Sequence, residues 1–589
     1  MQHLNDPRQI TLFDPWAQRF SSQQYATLRA GWEGLFHDVL LELMPAEELA
    51  EQFHPDIGRP TKELYAVAGL VFLKEFHNWT EETAVRAYNF YSDVQYALNI
   101  TGRDTNLSLR SLQRYLALFR ELGLAGKVFD AVTQALIEHL ELDVSQQRLD
   151  STHVYSNMAM LGRTALMVRA VRRLLTQVLR HHRGRYEALA LDLRTRYAKK
   201  GGSLPFGWYG GKATAEQRRQ ARQQVAEDMY VILKFYDGEG AIMDMDTYKQ
   251  LLRVFMEHCE IIEDAVTVRP RSDSRALQSL SDPDATYDGH KGRGHQAQLS
   301  ETCSDNNDVQ LVTDVQPETA ADTDEAALPE VVERLKEKNR KPDELLADTN
   351  YGSDGNVMHC AANGVELVAP VKGRRPDNQD ALHALDFDID ETTGTVQRCP
   401  AGHVPVSTSY SPKQDEHYAL FARATCEACP HFGRCPIYKH KKKHYRLKYS
   451  PKTLRLEQRR RQEDTPAFKD RYRKRAGVEG LMSALKRRHG FGRLRVRGSP
   501  AVAMALYLKT AGHNLLQAAR GLRQRRKAQA KAAQSANSVH SGPCLVRFAL
   551  REGLQRRARA IANALWPRQP SELPRPHTPT LLRQTLLAG

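Results

Sequence analysis

The sequence predicts an α/β protein in which a helical N-terminal region precedes a mixed sheet that a helical insertion interrupts. Apolar residues recur at helical spacing in residues 65–76 and again in residues 107–124. Beyond Gln146 the pattern changes to short apolar or β-branched runs bounded by turn residues, which is typical of strands. A chain of 589 residues is long enough for about three to five domains, so a single small binding module is excluded.

The predicted strands are short, and helical segments separate the first strand from the others. The strands are predicted at residues 148–155, 295–303, 309–315, 344–347 and 365–371. Helices are predicted within the insertion at residues 165–182, 216–235 and 248–266, and a last apolar helix at residues 501–519. The basic, Pro-containing end of the chain is predicted to be a loosely packed tail with one helix around residues 545–565.

The composition is that of a globular protein without membrane spans. Hydrophobic residues make up 41% of the chain and charged residues 26%, and the mean hydropathy is −0.57. The longest apolar run, residues 64–73, is far shorter than the roughly 20 residues needed to cross a bilayer. The first residues lack the basic and then apolar layout of an export signal. We therefore expect a cytoplasmic protein with no membrane partner.

Positive charge is concentrated in one block of the chain. Residues 439–497 contain 22 Lys and Arg against five acidic residues, a net charge of +17, whereas the whole chain carries +15. Lys and Arg that neutralise phosphates release condensed counterions, so a localised basic block favours a polyanionic partner. A solvated charged face or a disordered arm is the alternative. Interleaved aromatic residues, among them Tyr445 and Phe468, argue against a simple tail.

Four of the eight cysteines lie close together in the sequence. They are Cys399, Cys426, Cys429 and Cys435. Two cysteines separated by two residues can converge on one tetrahedral ion, so we expect structural Zn²⁺ in place of a core that so short a segment cannot build. A reduced, metal-free loop is the alternative. His403 and His431 are further candidate ligands, each of which could replace one cysteine.

A candidate DNA-binding helix lies near the N-terminus. Residues 106–115 have a polar, cap-like start followed by helical spacing that places Arg110 and Arg114 one turn apart. The arrangement suits the recognition helix of a helix-turn-helix, and an ordinary amphipathic helix in a bundle fits it equally well.

Two aspartates follow short predicted strands. Asp150 lies in Arg-Leu-Asp-Ser-Thr-His, and Asp348 lies in Leu-Ala-Asp-Thr-Asn-Tyr-Gly-Ser. A carboxylate at a strand end, before a turn of small residues, is well placed to hold a metal outside the sheet. Asp is also a common turn former, so each residue alone is a weak indication.

A third acid lies in a more specific pattern. Tyr472, Arg475, Glu479 and Lys486 follow one another at spacings of three, four and seven residues. On a single helix, at about 100° per residue, the four positions fall within an arc of about 60° beside an apolar face. A solvated helix with an ion pair between Arg475 and Glu479 would explain part of the pattern, and two flanking glycines weaken the helix prediction locally.

These three segments resemble the catalytic motifs of DDE transposases from bacterial insertion sequences. The resemblance rests on Asp-Ser-Thr-His at Asp150, Ala-Asp-x2-Tyr-Gly-Ser at Asp348 and Tyr-x2-Arg-x3-Glu-x6-Lys at Glu479. The last matches the family's Tyr-Arg-Glu-Lys signature at every position. Residues 58–124 are similar to the N-terminal domain of many such transposases, and the cysteine segment is similar to an insertion that some carry. The resemblance covers about residues 58–510 and is weak between 160 and 280.

The resemblance implies a ribonuclease H-like core in which Asp150, Asp348 and Glu479 form the catalytic triad and bind two Mg²⁺ or Mn²⁺ ions. It implies that Tyr472, Arg475 and Lys486 handle the phosphates of transposon ends. The expected partner is double-stranded DNA, bound by a homodimer in the bacterial nucleoid. A nuclease of the same core that does not join DNA, and a catalytically inactive DNA-binding regulator, are the alternatives.

The segments together predict a division of the chain. We expect a helical N-terminal DNA-binding domain (1–145), the first parts of the catalytic core (146–160 and 281–395), a helical insertion (161–280), a zinc-ribbon-like insertion (396–445), a basic segment with the core helices that carry the glutamate (446–520) and a C-terminal tail (521–589).

Overall fold

The computed structural model describes residues 1–7, 14–101, 106–198, 214–373 and 380–537, with side chains up to residue 532. Residues 1–531 form one compact unit, and of the second unit, 532–589, the structure describes only the end of a helix. The helix predicted around residues 545–565 lies outside the described residues. No helix within the described ranges combines the length and the apolar character that crossing a bilayer requires.

The N-terminal region is helical, as predicted. Its helices are α1 (Pro15–Arg19), α2 (Ser22–Ala30), α3 (Trp32–Leu35), α4 (Ala46–Ala50), α5 (Leu64–Phe76), α6 (Glu81–Phe90), α7 (Ser92–Ala97), α8 (Leu109–Glu121) and α9 (Leu124–Leu140). The Ser108 hydroxyl accepts a hydrogen bond from the Ser111 amide and so caps α8. The apolar faces of α5, α8 and α9 are buried together with residues of the sheet and of the last helices. The predicted boundary at residue 145 therefore does not separate two hydrophobic cores.

The insertion has a core of its own. It follows β1 (Gln146–Val154) and contains α10 (Arg163–His181), α11 (Arg183–Ala188), α12 (Leu191–Arg196), α13 (Ala215–Phe235), α14 (Gly240–Met243), α15 (Asp246–His258), β2 (Cys259–Ile262) and β3 (Ala265–Val268). The helix predicted at 248–266 is wrong after His258. There Glu263 and Asp264 adopt positive φ angles of 48° and 63° and form the turn of a hairpin between β-branched segments.

The central sheet is mixed. Its further elements are β4 (Thr286–Asp288), β5 (Gly292–Thr302), β6 (Val312–Thr319), α16 (Asp324–Glu337), β7 (Glu344–Leu346), α17 (Asp354–Ala362) and β8 (Glu366–Val368). Strand β5 pairs antiparallel with β1 on one side and with β6 and β4 on the other, whereas β7 and β8 continue the sheet parallel to β1. The predicted mixed α/β class is thereby confirmed.

The cysteine segment folds as a small β unit. Its elements are β9 (Asp388–Ile389), β10 (Val396–Arg398), β11 (Ser407–Ser411), β12 (Glu416–Ala422), α18 (Arg423–Glu427), β13 (Tyr438–His440) and β14 (His444–Tyr449). Strands β11 to β14 form one antiparallel sheet, and buried side chains such as Phe387, Phe421 and Leu447 pack around Cys426. The expectation that this segment cannot build a core is wrong, because strands on both sides of the cysteines supply apolar residues.

The C-terminal part is helical. It contains α19 (Pro451–Glu463), α20 (Pro466–Arg473), α21 (Val478–Arg488) and α22 (Ser499–Asn537). A 3₁₀ turn at Lys474–Gly477 separates α20 from α21, so the single helix predicted for residues 472–486 is interrupted. Gly477 and Gly480, at and just after this turn, disfavour a continuous α-helix. Helix α22 extends well beyond residue 519, so the predicted tail begins as a helix rather than as loose chain.

Candidate active site

Asp150 and Asp348 lie side by side on the sheet. Arg148 of β1 pairs in parallel register with Leu346 of β7, and each aspartate comes two residues later in its chain. Because side chains alternate along a strand with a period of two, the two positions project to the same side as their paired predecessors. The Asp348 charge acts to raise the pKa of Asp150, as expected for two neighbouring carboxylates.

Asp150 is largely buried and already has two partners. Its Oδ1 accepts a hydrogen bond of 2.8 Å from the Ser151 amide, and its Oδ2 accepts one of 2.7 Å from Nη2 of Arg475. Burial raises the pKa of Asp150 to about 6, although Arg475 and the Ser151 amide act to lower it. The loss of solvation therefore outweighs the ion pair, and the carboxylate lies where a further cation would be stabilised.

Asp348 is held by the turn that follows β7. Its Oδ1 accepts a hydrogen bond of 2.8 Å from the Asn350 amide and so caps the 3₁₀ turn Thr349–Tyr351. The Asn350 side chain lies 3.5 Å from Asp348 and 3.4 Å from Asp324. Burial raises the pKa of the fully buried Tyr351, and Asp324, Asp150 and Asp348 act in the same direction. The two predicted acids thus share their surroundings with a third, Asp324.

Sequence reasoning missed Asp324. It is the first residue of α16, and one of its oxygens accepts a hydrogen bond of 3.2 Å from the Gln298 side chain. An acid in the first turn of a helix is common because it stabilises the exposed amide groups there. Nothing in the local sequence distinguishes Asp324 from such a residue, and only the packing of α16 against the sheet brings it to the site.

Tyr472 and Arg475 lie beside the two sheet aspartates. Tyr472 is half-buried, stacks on Phe468 at 5.7 Å and packs against the buried cluster that contains Leu346 of β7. Burial raises the pKa of Tyr472, Arg475 lowers it, and Asp348 and Asp150 raise it further. The Nε of Arg475 is buried and has no hydrogen-bond partner among the described residues. The structure therefore brings together four of the predicted site residues.

Glu479 and Lys486 differ from Tyr472 and Arg475 in the exposure of their side chains. Both are exposed on α21, whose Val478, Leu481 and Leu485 are buried. Neither side chain forms a hydrogen bond or an ion pair with another described residue, although Lys486 lowers the pKa of His153 on β1. In the described part of the chain no three His, Cys, Asp or Glu side chains are close enough to hold one metal ion. The structure does not assemble the predicted triad around Glu479.

An ion pair beneath the site supports the 3₁₀ turn, and sequence reasoning missed this pair. Nε of Arg148 donates a hydrogen bond of 2.7 Å to Glu301, and its Nη1 donates one of 3.1 Å to the Lys474 carbonyl. Burial raises the pKa of Glu301 to about 7, and Arg148 acts to lower it. Because Gly477 has no side chain, the Arg148 guanidinium can lie directly against the turn that carries Arg475.

The four clustered cysteines are reduced and interact with one another. Burial, together with the neighbouring cysteines, raises the pKa of Cys426 and of Cys435 to about 11. The Gly402 amide donates a hydrogen bond of 2.8 Å to the Cys399 carbonyl, in a turn where Gly402 has a φ of 84°. Cysteine sulfurs are suitable donors for Zn²⁺, but no three of these residues, with or without His403 and His431, are positioned to hold an ion among the described residues.

Arg110 and Arg114 are exposed on α8, whose opposite face is buried. The Arg114 guanidinium lies over the Phe53 ring, 4.9 Å from its centre. Both features suit a bundle helix with a basic outer face as well as a recognition helix.

Residues 398–519, about a fifth of the chain, match the family described as "Transposase DDE domain". The chain is similar to DDE transposases over this part. The matched residues include the cysteine segment, the 3₁₀ turn and Glu479, and they exclude Asp150 and Asp348.

No curated protein matches this chain. Among solved structures, a cryo-EM structure of the piggyBac transposase synaptic complex with hairpin DNA aligns over 78% of this chain and 86% of its own chain. The TM-score is 0.19 and the identity 11%, values that support no argument about the fold.

Proposed function

We propose that the protein is a DDE-type DNA transposase that cleaves transposon ends and joins them to target DNA. The observation that carries the proposal is the convergence of Asp150 and Asp348 with Tyr472 and Arg475, from three distant parts of the sequence. The family match to a transposase DDE domain, which covers the third of these parts, supports it independently. A ribonuclease H-like core is supported by the mixed sheet in which β1 carries Asp150 and its parallel neighbour β7 leads to Asp348.

The proposed reaction assigns a role to each side chain. Asp150, Asp348 and Glu479 offer hard carboxylate oxygens, which suit two Mg²⁺ or Mn²⁺ ions. Such a pair, when bound, activates the attacking oxygen and stabilises the leaving oxygen of a phosphodiester. The donor chemistry of the sheet aspartates fits this role, whereas Glu479 is not in place beside them in the described arrangement. Glu479 therefore has to approach the aspartates when DNA binds.

Arg475 is proposed to act both in the described arrangement and in the complex with DNA. In the described arrangement its Nη2 neutralises Asp150, and its Nε is free of partners. A DNA phosphate entering the site would receive hydrogen bonds from the guanidinium, whose planar fork suits phosphate oxygens. Tyr472 would stack on a base or bind a phosphate, and the exposed Lys486 would neutralise the backbone further along.

DNA binding is proposed for two further regions. The basic block at residues 439–497 supplies the charge for the backbone of double-stranded DNA, and Arg110 and Arg114 lie on an exposed helix face. Joining two transposon ends requires both ends in one complex, so we propose a homodimer on DNA. A structural Zn²⁺ on Cys399, Cys426, Cys429 and Cys435 is proposed from the donor set.

The test uses a plasmid that carries the DNA flanking this gene on both sides. With Mg²⁺, the full-length protein should cut at the flanks and yield joined products, and Asp348→Asn should abolish both. Asp343→Asn is the matched control, because Asp343 is exposed just before the same strand. Cutting without joined products would favour the nuclease alternative, and binding without cutting would favour the regulator.

Zinc is tested separately by elemental analysis of the purified chain. We expect about one Zn²⁺ per chain, lost in Cys429→Ser, with the thermal unfolding of the cysteine segment shifted only modestly because this segment has its own core. Cys360→Ser is the control, because Cys360 is buried beneath the central sheet. A chain without zinc, or an equal zinc content in both variants, would contradict the proposed ligand set.

A further inference from the structure

A pocket of about 440 Å³ lies between the N-terminal helices, the end of α21 and the middle of α22. Its lining combines aromatic side chains from α3 and α5 with arginines from α21 and α22. The volume is within the range of small-molecule sites. None of the residues proposed for DNA cleavage contributes to this lining.

The inner part of the pocket is aromatic. The Trp32 ring lies 5.2 Å from Phe76 and 5.0 Å from His77 in edge-to-face arrangements. Phe76 also stacks on His489 at 5.9 Å, and both of these rings are buried. Such a wall offers ring faces and edges to a flat, conjugated group.

Two histidines of this wall are neutral and have unused nitrogens. Burial lowers the pKa of His77 and of His489 to about 4, and the positive charges of Lys509, Arg488 and Arg520 act in the same direction on His489. Nδ1 of His489 is 2.9 Å from the Phe76 carbonyl, which fixes the ring. Nε2 of His77 and Nε2 of His489 are buried without a hydrogen-bond partner among the described residues. Buried polar atoms are rarely left unpaired, so these nitrogens point to a ligand that supplies the missing bonds.

The outer part of the pocket is cationic. Arg488, Arg520 and Arg523 line it and are exposed, and none of them forms an ion pair with an acidic residue in the described part of the chain. Arg488 acts with burial to lower the pKa of Arg520, so the two cations lie close enough to repel each other. Glu33 interacts with Arg523 electrostatically but is not part of the lining. Three cations without an ion-pair partner among the described residues, placed around one opening, favour an anion.

We propose that this pocket binds a nucleotide, with the base against the aromatic wall and the phosphate among the three arginines. An aromatic ring system joined to an anion is the chemistry that matches both parts, because stacking and cationic contacts together hold single nucleotides. The unused histidine nitrogens provide hydrogen-bonding partners for the edge of a base. The site goes beyond the proposed function, since it uses none of the carboxylates.

A nucleotide of this kind is either free in solution or an unpaired residue of a DNA strand. The first arm of the test measures calorimetric binding of deoxyadenosine monophosphate to the full-length chain, with deoxyadenosine and inorganic phosphate as the two halves of the ligand. The second arm compares a fully paired duplex with the same duplex carrying one unpaired adenine nucleotide. We expect either saturable binding of the free nucleotide or an affinity about tenfold higher for the duplex with the unpaired nucleotide.

The variants locate the site. Arg520→Gln with Arg523→Gln should weaken the preferred ligand about tenfold or more, and Trp32→Leu should do the same if the fold is retained. Arg526→Gln, at a nearby exposed position on α22 outside the lining, should leave binding unchanged. Because the two arginines are exposed, their replacement should preserve thermal unfolding, so this variant decides the test if Trp32→Leu does not fold.

Three results would overturn the proposal. They are an absence of binding in both arms, binding that survives the double arginine replacement, and inorganic phosphate binding as tightly as the nucleotide. Asp150→Asn protein should bind the nucleotide as well as the unmodified chain does. Loss of DNA cleavage with retained nucleotide binding would therefore leave this site standing, and the reverse result would leave the transposase proposal standing.

Discussion

The strand-borne acids and the helix-borne acid of the candidate active site are held in different ways. Asp150 and Asp348 are fixed by neighbouring parallel strands, accept backbone hydrogen bonds and interact with each other. Glu479 is exposed on α21 and has no side-chain partner among the described residues. The comparison teaches that the sheet preorganises two acids before any ligand binds, whereas the third depends on how the 3₁₀ turn positions α21.

The prediction with the largest expected effect asks whether Glu479 acts together with the two sheet aspartates in the reacting complex. We expect Asp150→Asn and Glu479→Gln to lower the rate of strand cleavage equally, by about a thousandfold or more, equivalent to about 4 kcal/mol. Equal losses are expected because each carboxylate is proposed as a metal ligand in the reacting complex. The measurement is single-turnover cleavage of labelled flanking DNA with Mg²⁺.

Unequal losses of cleavage rate would show that Asp150 and Glu479 do not act as ligands of the same metal pair. If Glu479→Gln protein cleaved normally while Asp150→Asn protein did not, Glu479 would be excluded from the site. Asp324, which already lies near both sheet acids, would then be the third carboxylate, and Asp324→Asn should abolish cleavage.

Much of the sheet and its acids could be predicted from the sequence, because strands have recognisable local sequence patterns. β1, β5 and β7 lie where alternation and turn residues placed them, and Asp348 follows β7 as predicted. The prediction that Asp150 ends its strand is wrong, because β1 continues to Val154 through its pairing with β5. The contacts that complete the site could not be predicted. Arg148 pairs with Glu301 across 153 residues, and Arg475 reaches Asp150 across 325. Such pairs depend on strand register and helix docking, which leave no local signal.

The second prediction concerns stability in metal-free buffer. Burial raises the pKa of Asp150 from 3.8 to about 6, so protonation of this carboxyl favours the folded state. That contribution is fully present below pH 3.8 and is lost as the pH rises through 6. Asp150→Asn should therefore be more stable than the unmodified protein above pH 6, by at most about 3 kcal/mol, with the difference shrinking toward pH 4.

Glu479→Gln is the matched control for this effect. An exposed side chain without partners should change the free energy of unfolding by no more than about 0.5 kcal/mol at any pH between 4 and 8. The measurement is denaturant unfolding with chelator present. A destabilised Asp150→Asn protein at pH 8 would mean that the ion pair with Arg475 outweighs the cost of burial. Asp150 would then differ from Glu479 chiefly through its charge pairing.

The prediction with the smallest expected effect concerns Gly477, in the 3₁₀ turn between α20 and α21. A Cβ at Gly477 would lie 1.9 Å from Nη1 of Arg148, whose guanidinium is held by Glu301 and by the Lys474 carbonyl. Moving that guanidinium would leave a buried carboxylate poorly paired, so Gly477→Ala should lower the free energy of unfolding by about 1–2 kcal/mol.

Gly480→Ala should have the opposite sign, although the two glycines are only three residues apart. No atom lies within 4 Å of a Cβ placed at Gly480, and the residue is exposed within α21. Alanine there restricts the unfolded chain and favours the helix, so stability should rise by about 0.4–1 kcal/mol. Denaturant unfolding and the cleavage rate are measured on both variants. If Gly477→Ala also stabilises the protein while cleavage is unchanged, Arg148 does not support the turn, and the position of Arg475 must depend on its bond to Asp150 alone.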